Sequence, residues 1–312
     1  MKTAIMFSGQ GAQFPGMMSD MFEIYTETRE VFQKAETFLK RDIYKLAMES
    51  SAEELNLTQN TQPCLLACEL AALRVLKACG VPFEAALGFS LGEWAALVAT
   101  GAAQEEDVLR VIEKRADAMQ RAVPPGEGGM VAILGQMEES VLQLCASIGD
   151  IAPANYNCPG NITVAGKATA VKELLKRAAE ENIVAAEVAI SVPSHCMLMK
   201  PAVEELQSVI QSLTLKKPQM ELVMNATGYP AEAEEEIKEN LVRQLSNPVM
   251  FQQSIEYLLG QNFDTFIEIG PGKALSGMVK RIARQEKRKV NILQFNSLDN
   301  IKAIQELSQS QN

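Results

Sequence analysis

One histidine, one tryptophan and an aromatic content of 5% already narrow what this 312-residue sequence can do. A single imidazole cannot build a histidine-rich metal centre, and the six cysteines contain no C-x-x-C pair. Cys64 and Cys68 share one face of an apolar helical pattern, which gives a zinc site little support. No metal or organic cofactor is expected. Long hydrophobic runs are missing too. No stretch approaches the ~20 consecutive apolar residues that span a bilayer. The apolar run Thr3 to Phe7 ends at Ser8-Gly9, which is short for a secretory signal. A cytoplasmic setting with reduced thiols is the expectation. Positive charge is also scarce: 29 Lys and Arg against 39 Asp and Glu give a net charge of −10. Nucleic acid and anionic membrane are therefore not expected as partners.

What is present is an ordinary globular composition, 47% hydrophobic and 22% charged, enough for a sizeable core. Short apolar runs alternate with helical periodicity, so the fold class reads as α/β around a mainly parallel sheet. Predicted elements are a strand Thr3 to Phe7, helices from about Met18 to Leu39 and Gln62 to Ala78, and a strand Ala85 to Phe89 running into a helix Leu91 to Ala99. A long amphipathic helix Glu105 to Ala122 follows. At Pro124-Pro125-Gly126-Glu127-Gly128-Gly129 the pattern breaks. The next segment reads β (Met130 to Leu134), α (Glu138 to Ala146), β (Ile151 to Tyr156), β (Ile162 to Ala165), α (Ala168 to Glu180), β (Val184 to Ile190). That βαββαβ order is ferredoxin-like. Residues 128–193 are thus expected to form a small subdomain inserted into a large core of residues 1–127 and 194–312. The core resumes with a helix near Leu198 to Leu213, a strand Leu222 to Asn225, helices up to Leu259, strands Thr265 to Ile269 and Val290 to Phe295, and a last helix.

Gly88-Phe89-Ser90-Leu91-Gly92 matches G-x-S-x-G between a strand and a helix. A sharp strand-to-helix turn projects the serine hydroxyl into a cleft, and the following helix aims backbone N–H groups at an oxyanion. A helix-capping serine between packing glycines is the plainer alternative. A serine nucleophile needs a base, and if imidazole is that base only His195 can supply it. Arg115, on the long helix, reads by itself as a solvated helix-face arginine. Neither Gly9-Gln10-Gly11-Ala12-Gln13 nor Gly270-Pro271-Gly272-Lys273-Ala274 satisfies a nucleotide-binding fingerprint, because Phe14 stands where a glycine is required and Ala274 replaces a metal-binding hydroxyl.

These residues together closely resemble the malonyl-CoA:acyl carrier protein transacylase family of fatty acid and polyketide synthesis. The resemblance spans essentially the whole chain. It also rests on Thr61-Gln62-Pro63, Glu113-Lys114-Arg115, Asn155-Tyr156-Asn157, Val192-Pro193-Ser194-His195, Asn247-Pro248-Val249 and Glu268-Ile269-Gly270-Pro271-Gly272-Lys273. It implies a hydrolase-like α/β core with the ferredoxin-like insertion. Ser90 becomes the nucleophile and His195 the general base, with the backbone amides of Gln10 and Leu91 as oxyanion hole. Arg115 becomes the anchor for the malonyl carboxylate, while Gln62 and Asn157 line the pocket. A backbone carbonyl of the Asn247-Pro248-Val249-Met250 stretch, assigned to Met250, would orient the imidazole. Malonyl-CoA and an acyl carrier protein become the partners of a monomeric enzyme, with coenzyme A thioester as substrate. Phe89 stands where the family usually has histidine, and Ser8 where proline is common. A trans-acting acyltransferase of a modular polyketide synthase, an acyl hydrolase and a silent carrier-binding protein remain alternatives. The basic cluster Lys280, Arg281, Arg284, Lys287, Arg288 and Lys289 is either a solvated face or a docking site for carrier or coenzyme A phosphates.

Overall fold

The computed structural model describes residues 2–188 and 192–309, with side chains to residue 305. Five strands, β1 (Thr3–Phe7), β2 (Ala85–Gly88), β7 (Glu221–Val223), β8 (Thr265–Ile269) and β9 (Asn291–Phe295), make one sheet in the order β7-β2-β1-β8-β9. All its pairings are parallel. A parallel sheet must be covered on both faces, so its strands read as continuous apolar runs, and β1 is buried at all five positions. Ile5 and Phe7 face one core with the helices Thr58–Ala78 and Glu93–Ala99. Ala4 and Met6 face the other core, with Phe251, Phe266 and Val279.

The helix Thr58–Ala78 is buried along nearly its whole length and starts earlier than the sequence suggests, with Pro63 inside it. Proline has no N–H for the carbonyl four residues back, that of Gln59. Arg41 Nη1 donates to that carbonyl at 3.0 Å, so the loss is made good and the helix continues. The expected helix Met18 to Leu39 divides into Ser19–Ile24 and Thr26–Leu39 because Tyr25 is extended. Two short helices, Ile43–Glu49 and Ala52–Leu55, escape the periodicity reading.

Between the two parts of the large sheet lie β3 (Gly128–Leu134), β4 (Ile151–Cys158), β5 (Asn161–Lys167) and β6 (Val184–Glu187). They form a separate antiparallel sheet in the order β4-β5-β3-β6, the split βαβ pattern. The expected continuation of the last strand to Ile190 falls on residues 189–191, outside the described residues. Helices Glu138–Ile148 and Ala168–Glu180 cover one face. The other face, with Met130, Ala154 and Ala165, packs on Cys196 and Leu198 of the large part. Val249 and Met250 tie the two parts together: Val249 N–H donates to Ala154 O and its carbonyl accepts from Tyr156 N–H, each at 2.9 Å, while Met250 N–H donates to Asn225 O, just past β7, at 2.8 Å. A cleft opens where the small sheet meets the carboxyl ends of β7, β2 and β1, the edge where open α/β sheets place their ligand sites.

Candidate active site

Ser90 lies two residues past the end of β2, after Phe89, and adopts φ +54°, a left-handed conformation that a residue with a Cβ avoids. Its two flanking glycines make the turn possible. A Cβ on Gly88 would stand 1.9 Å from the Gly92 carbonyl carbon, and one on Gly92 would stand 2.4 Å from the Phe7 oxygen. Side chains hold the strained peptide on both sides. Ser90 N–H donates to Asn225 Oδ1 at 2.7 Å, and Gln244 Nε2 donates to the Ser90 carbonyl at 2.9 Å. Asn225 Nδ2 adds a bond to Gly88 O at 2.6 Å. Strain of this kind persists only where the surroundings over-determine it.

His195 also has positive φ, +61°, and its N–H donates to Leu245 O at 3.2 Å. Its Nε2 lies 2.7 Å from Ser90 Oγ and its Nδ1 2.7 Å from the Gln244 carbonyl. A carbonyl can only accept, so Nδ1 carries the hydrogen and Nε2 presents its lone pair to the serine. Burial lowers the imidazole pKa from 6.5 to about 4, against the support of the Gln244 carbonyl and with a further push from Arg115. The ring is therefore neutral at pH 7. The orienting carbonyl is that of Gln244, which corrects the expectation for Met250. The Met250 carbonyl accepts from Ser254 in the next helix, and its N–H goes to Asn225 O. The Asn247-Pro248-Val249-Met250 stretch joins the sheets, so its backbone is committed elsewhere.

Arg115 is buried, 2% exposed, which overturns the solvated-face reading. On the helix Glu105–Ala122 it continues the stripe Val108, Ile112, Met119 that faces the core. Nη1 donates to Gln62 Oε1 at 2.7 Å, and Nη2 to Gln244 Oε1 at 3.0 Å and to Ser90 Oγ at 3.2 Å. Nε has no partner among the described residues. Burial lowers the guanidinium pKa to about 10, countered by nearby Glu93. Burial pushes that carboxyl, also wholly buried, upward against the donors Asn225 and Gln244 and the charge of Arg115, and with an N–H donated to each oxygen it sits there as the carboxylate.

Gln10, Ser90, Leu91, Arg115 and His195 line one cavity of about 80 Å³, closed on the small-sheet side by Met130, Asn155 and Thr163. Gln10 follows β1, and its Nε2 is tied to Thr58 Oγ1 at 3.0 Å. The neighbouring Gly9 lets the loop approach the elbow, since a Cβ there would meet Phe89 O at 2.7 Å. Phe89 lines the same cavity and packs on Phe251, with ring centroids 5.7 Å apart. Ser8 donates N–H to Ile269 O at 3.2 Å, a bond proline could not make, and Oγ to buried Glu69 at 2.8 Å. Gln62 stands behind the cavity and holds Arg115. Asn157 does not line the cavity either: its Nδ2 donates to Thr163 Oγ1 at 3.0 Å, so it supports the wall from behind. Sequence reasoning missed Asn225 and Gln244, and gave no role to Glu93, which closes the Gly88-Phe89-Ser90-Leu91-Gly92-Glu93 motif. Asn225 is legible only by place: like Gln10 and Ser90, it sits just past the carboxyl end of a parallel strand.

The chain matches the acyl transferase domain family over residues 5–303. It is 40% identical over 292 residues to the malonyl CoA-acyl carrier protein transacylase of Bacillus subtilis, an alignment covering 92% of each chain. With the Escherichia coli protein of the same name it shares 38% over 286 residues, 89% of this chain and 92% of that one. Among solved structures, a malonyl-transacylase in complex with a type II polyketide synthase acyl carrier protein superposes with a TM-score of 0.94 at 34% identity, over 98% of this chain and 100% of the other. The malonyl CoA-acyl carrier protein transacylase of Clostridium perfringens gives 0.94 at 34% identity, over 100% and 98%. With the dyad, the buried arginine and these likenesses in agreement, the chain belongs to the acyl transferase domain family.

Proposed function

We propose that this chain moves a malonyl group from coenzyme A to the phosphopantetheine thiol of an acyl carrier protein through a malonyl ester on Ser90. The observation that carries the reading is the Arg115 guanidinium 3.2 Å from Ser90 Oγ. An acyl group attacked by that oxygen and ending in a carboxylate at that guanidinium must be short, as malonyl is. A buried guanidinium facing a neutral acyl group would stay unpaired, a penalty of about 3–5 kcal/mol that selects against acetyl.

His195 Nε2 takes the hydroxyl proton as Ser90 Oγ bonds to the thioester carbonyl carbon. The amides of Gln10 and Leu91 receive the developing oxyanion. The C–S bond breaks, the imidazolium returns its proton to the departing thiolate, and coenzyme A leaves. In the second half-reaction His195 deprotonates the carrier thiol, whose sulfur bonds to the ester carbonyl carbon as the C–O bond to Ser90 breaks, and the imidazolium returns its proton to Ser90 Oγ, giving ping-pong kinetics. The groups that react are side chains and backbone amides, with coenzyme A as substrate and no resident cofactor in the scheme. A cytoplasmic setting is consistent with six unpaired thiols among the described residues. No helix of the described residues is long and apolar enough to cross a membrane. The similarity to a malonyl-transacylase held with a type II polyketide synthase acyl carrier protein supports a polyketide carrier as a second acceptor beside a fatty acid carrier.

The test is transfer of labelled malonyl from malonyl-CoA to holo-carriers of both kinds, with apo-carrier as control. Parallel double-reciprocal lines and no product on apo-carrier are expected. Release of free malonate at the same rate with or without carrier would make the chain a hydrolase instead.

A further inference from the structure

Glu93 begins the helix Glu93–Ala99 directly behind the elbow and is wholly buried, yet no step of the transfer uses it. An acidic residue in a first helical turn is favoured by the helix dipole, but a surface carboxylate would serve that purpose. Here both oxygens are committed to the site. Oε1 accepts the main-chain N–H of Asn225 at 2.5 Å, and Oε2 accepts Gln244 Nε2 at 2.6 Å. Gln244 in turn places its Oε1 on Arg115 Nη2 and its Nε2 on the Ser90 carbonyl. The amide cannot flip, because Nε2 faces two acceptors and Oε1 faces a guanidinium. Fixing that amide fixes the guanidinium on one side, while Gln62 fixes it on the other.

We infer that Glu93 is a positioning residue for acyl selectivity: by locking the Gln244 side chain it holds the Arg115 guanidinium beside Ser90 Oγ, where an acyl carboxylate must meet it. The inference rests on the reading of Arg115 as carboxylate anchor. Glu93→Gln keeps the shape but sets an NH2 against the donor of either Gln244 or Asn225, so one contact is lost. In the full-length protein, kcat/KM for acylation by malonyl-CoA should fall about tenfold, with acetyl-CoA falling less than about threefold. Labelling of Ser90 by a fluorophosphonate, which needs the dyad and not the anchor, should fall by a smaller factor than acylation by malonyl-CoA. Equal losses for both acyl groups would mark a merely structural role and overturn the inference. Should Glu93→Gln fail to fold, Gln244→Met reads the same ratio, since it keeps the carbonyl on His195 and removes only the amide. An unchanged malonyl-to-acetyl ratio in that variant also overturns it. Arg115→Ala separates the two levels. If it leaves the ratio unchanged, the anchor reading itself is wrong. If it shifts the ratio and neither Glu93→Gln nor Gln244→Met does, only the role of Glu93 falls.

Discussion

On the parallel-sheet side of the cleft, the polar groups around Ser90 are cross-bonded. Asn225 and Gln244 grip the Ser90 peptide, Glu93 grips both, and Gln62 and Gln244 hold Arg115. On the small-sheet side, Asn155 Oδ1 and Asn157 Oδ1 are buried with no hydrogen-bond partner among the described residues. The first wall is pre-organised for proton transfer and charge recognition, the second for enclosure. Substitutions in the first should therefore change the chemistry or unfold the elbow, and substitutions in the second should chiefly change how substrate is held.

The largest contrast comes from Arg115→Ala, where malonyl transfer should drop on the order of 10²-fold and the malonyl-to-acetyl ratio should collapse toward one. Initial rates with both thioesters check it, and an unchanged ratio would remove the anchor from the account. Next in size is Asn225→Ala, which orphans the Ser90 N–H and the Gly88 carbonyl at the strained turn. Unfolding in urea should show a loss of about 2–6 kcal/mol, from about 1–3 kcal/mol for each of the two groups left unpaired. A loss below about 1 kcal/mol would mean that the elbow does not depend on this clamp.

A smaller effect follows from pH. His195 is held at about 4, below its ordinary 6.5, so the neutral ring persists on acidification. Ser90 acylation should stay level from pH 7 to about 5 and fall only toward about 4. The linked contribution to stability is present above 6.5 and is lost as pH falls from there through about 4. Single-turnover acylation across this range decides the matter, since a midpoint near 6.5 would mean a solvated ring. Smallest should be Asn155→Ala on the enclosing wall, with kcat within about threefold and the change appearing in KM. A kcat loss comparable to that of Arg115→Ala would erase the distinction between the two walls.

Ser90 was legible because G-x-S-x-G between a strand and a helix is a steric signature, and His195 because no other imidazole exists. The alternation of helices and apolar strands, and the βαββαβ order of the small sheet, were legible from periodicity. Arg115 was harder. Its own helix reads as carrying an exposed cation, although the stripe Val108, Ile112, Met119 points it inward. The mistaken Met250 assignment has a physical cause: a main-chain carbonyl carries no side-chain signal, and Gln244 lies only a turn and a loop upstream. Asn157 entered through the family resemblance alone, and its side chain is instead bonded to Asn161 and Thr163 where the register of β4 shifts between Tyr156 and Cys158. Glu93, Asn225 and Gln244 meet only after β2, β7 and a distant helix have packed, which no local pattern encodes.

The most direct measurement is intact-mass and peptide mass spectrometry of the protein quenched after brief exposure to malonyl-CoA, followed by a chase with holo-carrier. The account predicts one malonyl adduct, mapped to the peptide containing Ser90, discharged by the carrier thiol and missing from Ser90→Ala. An adduct that survives in Ser90→Ala, or transfer that proceeds without one, would contradict it.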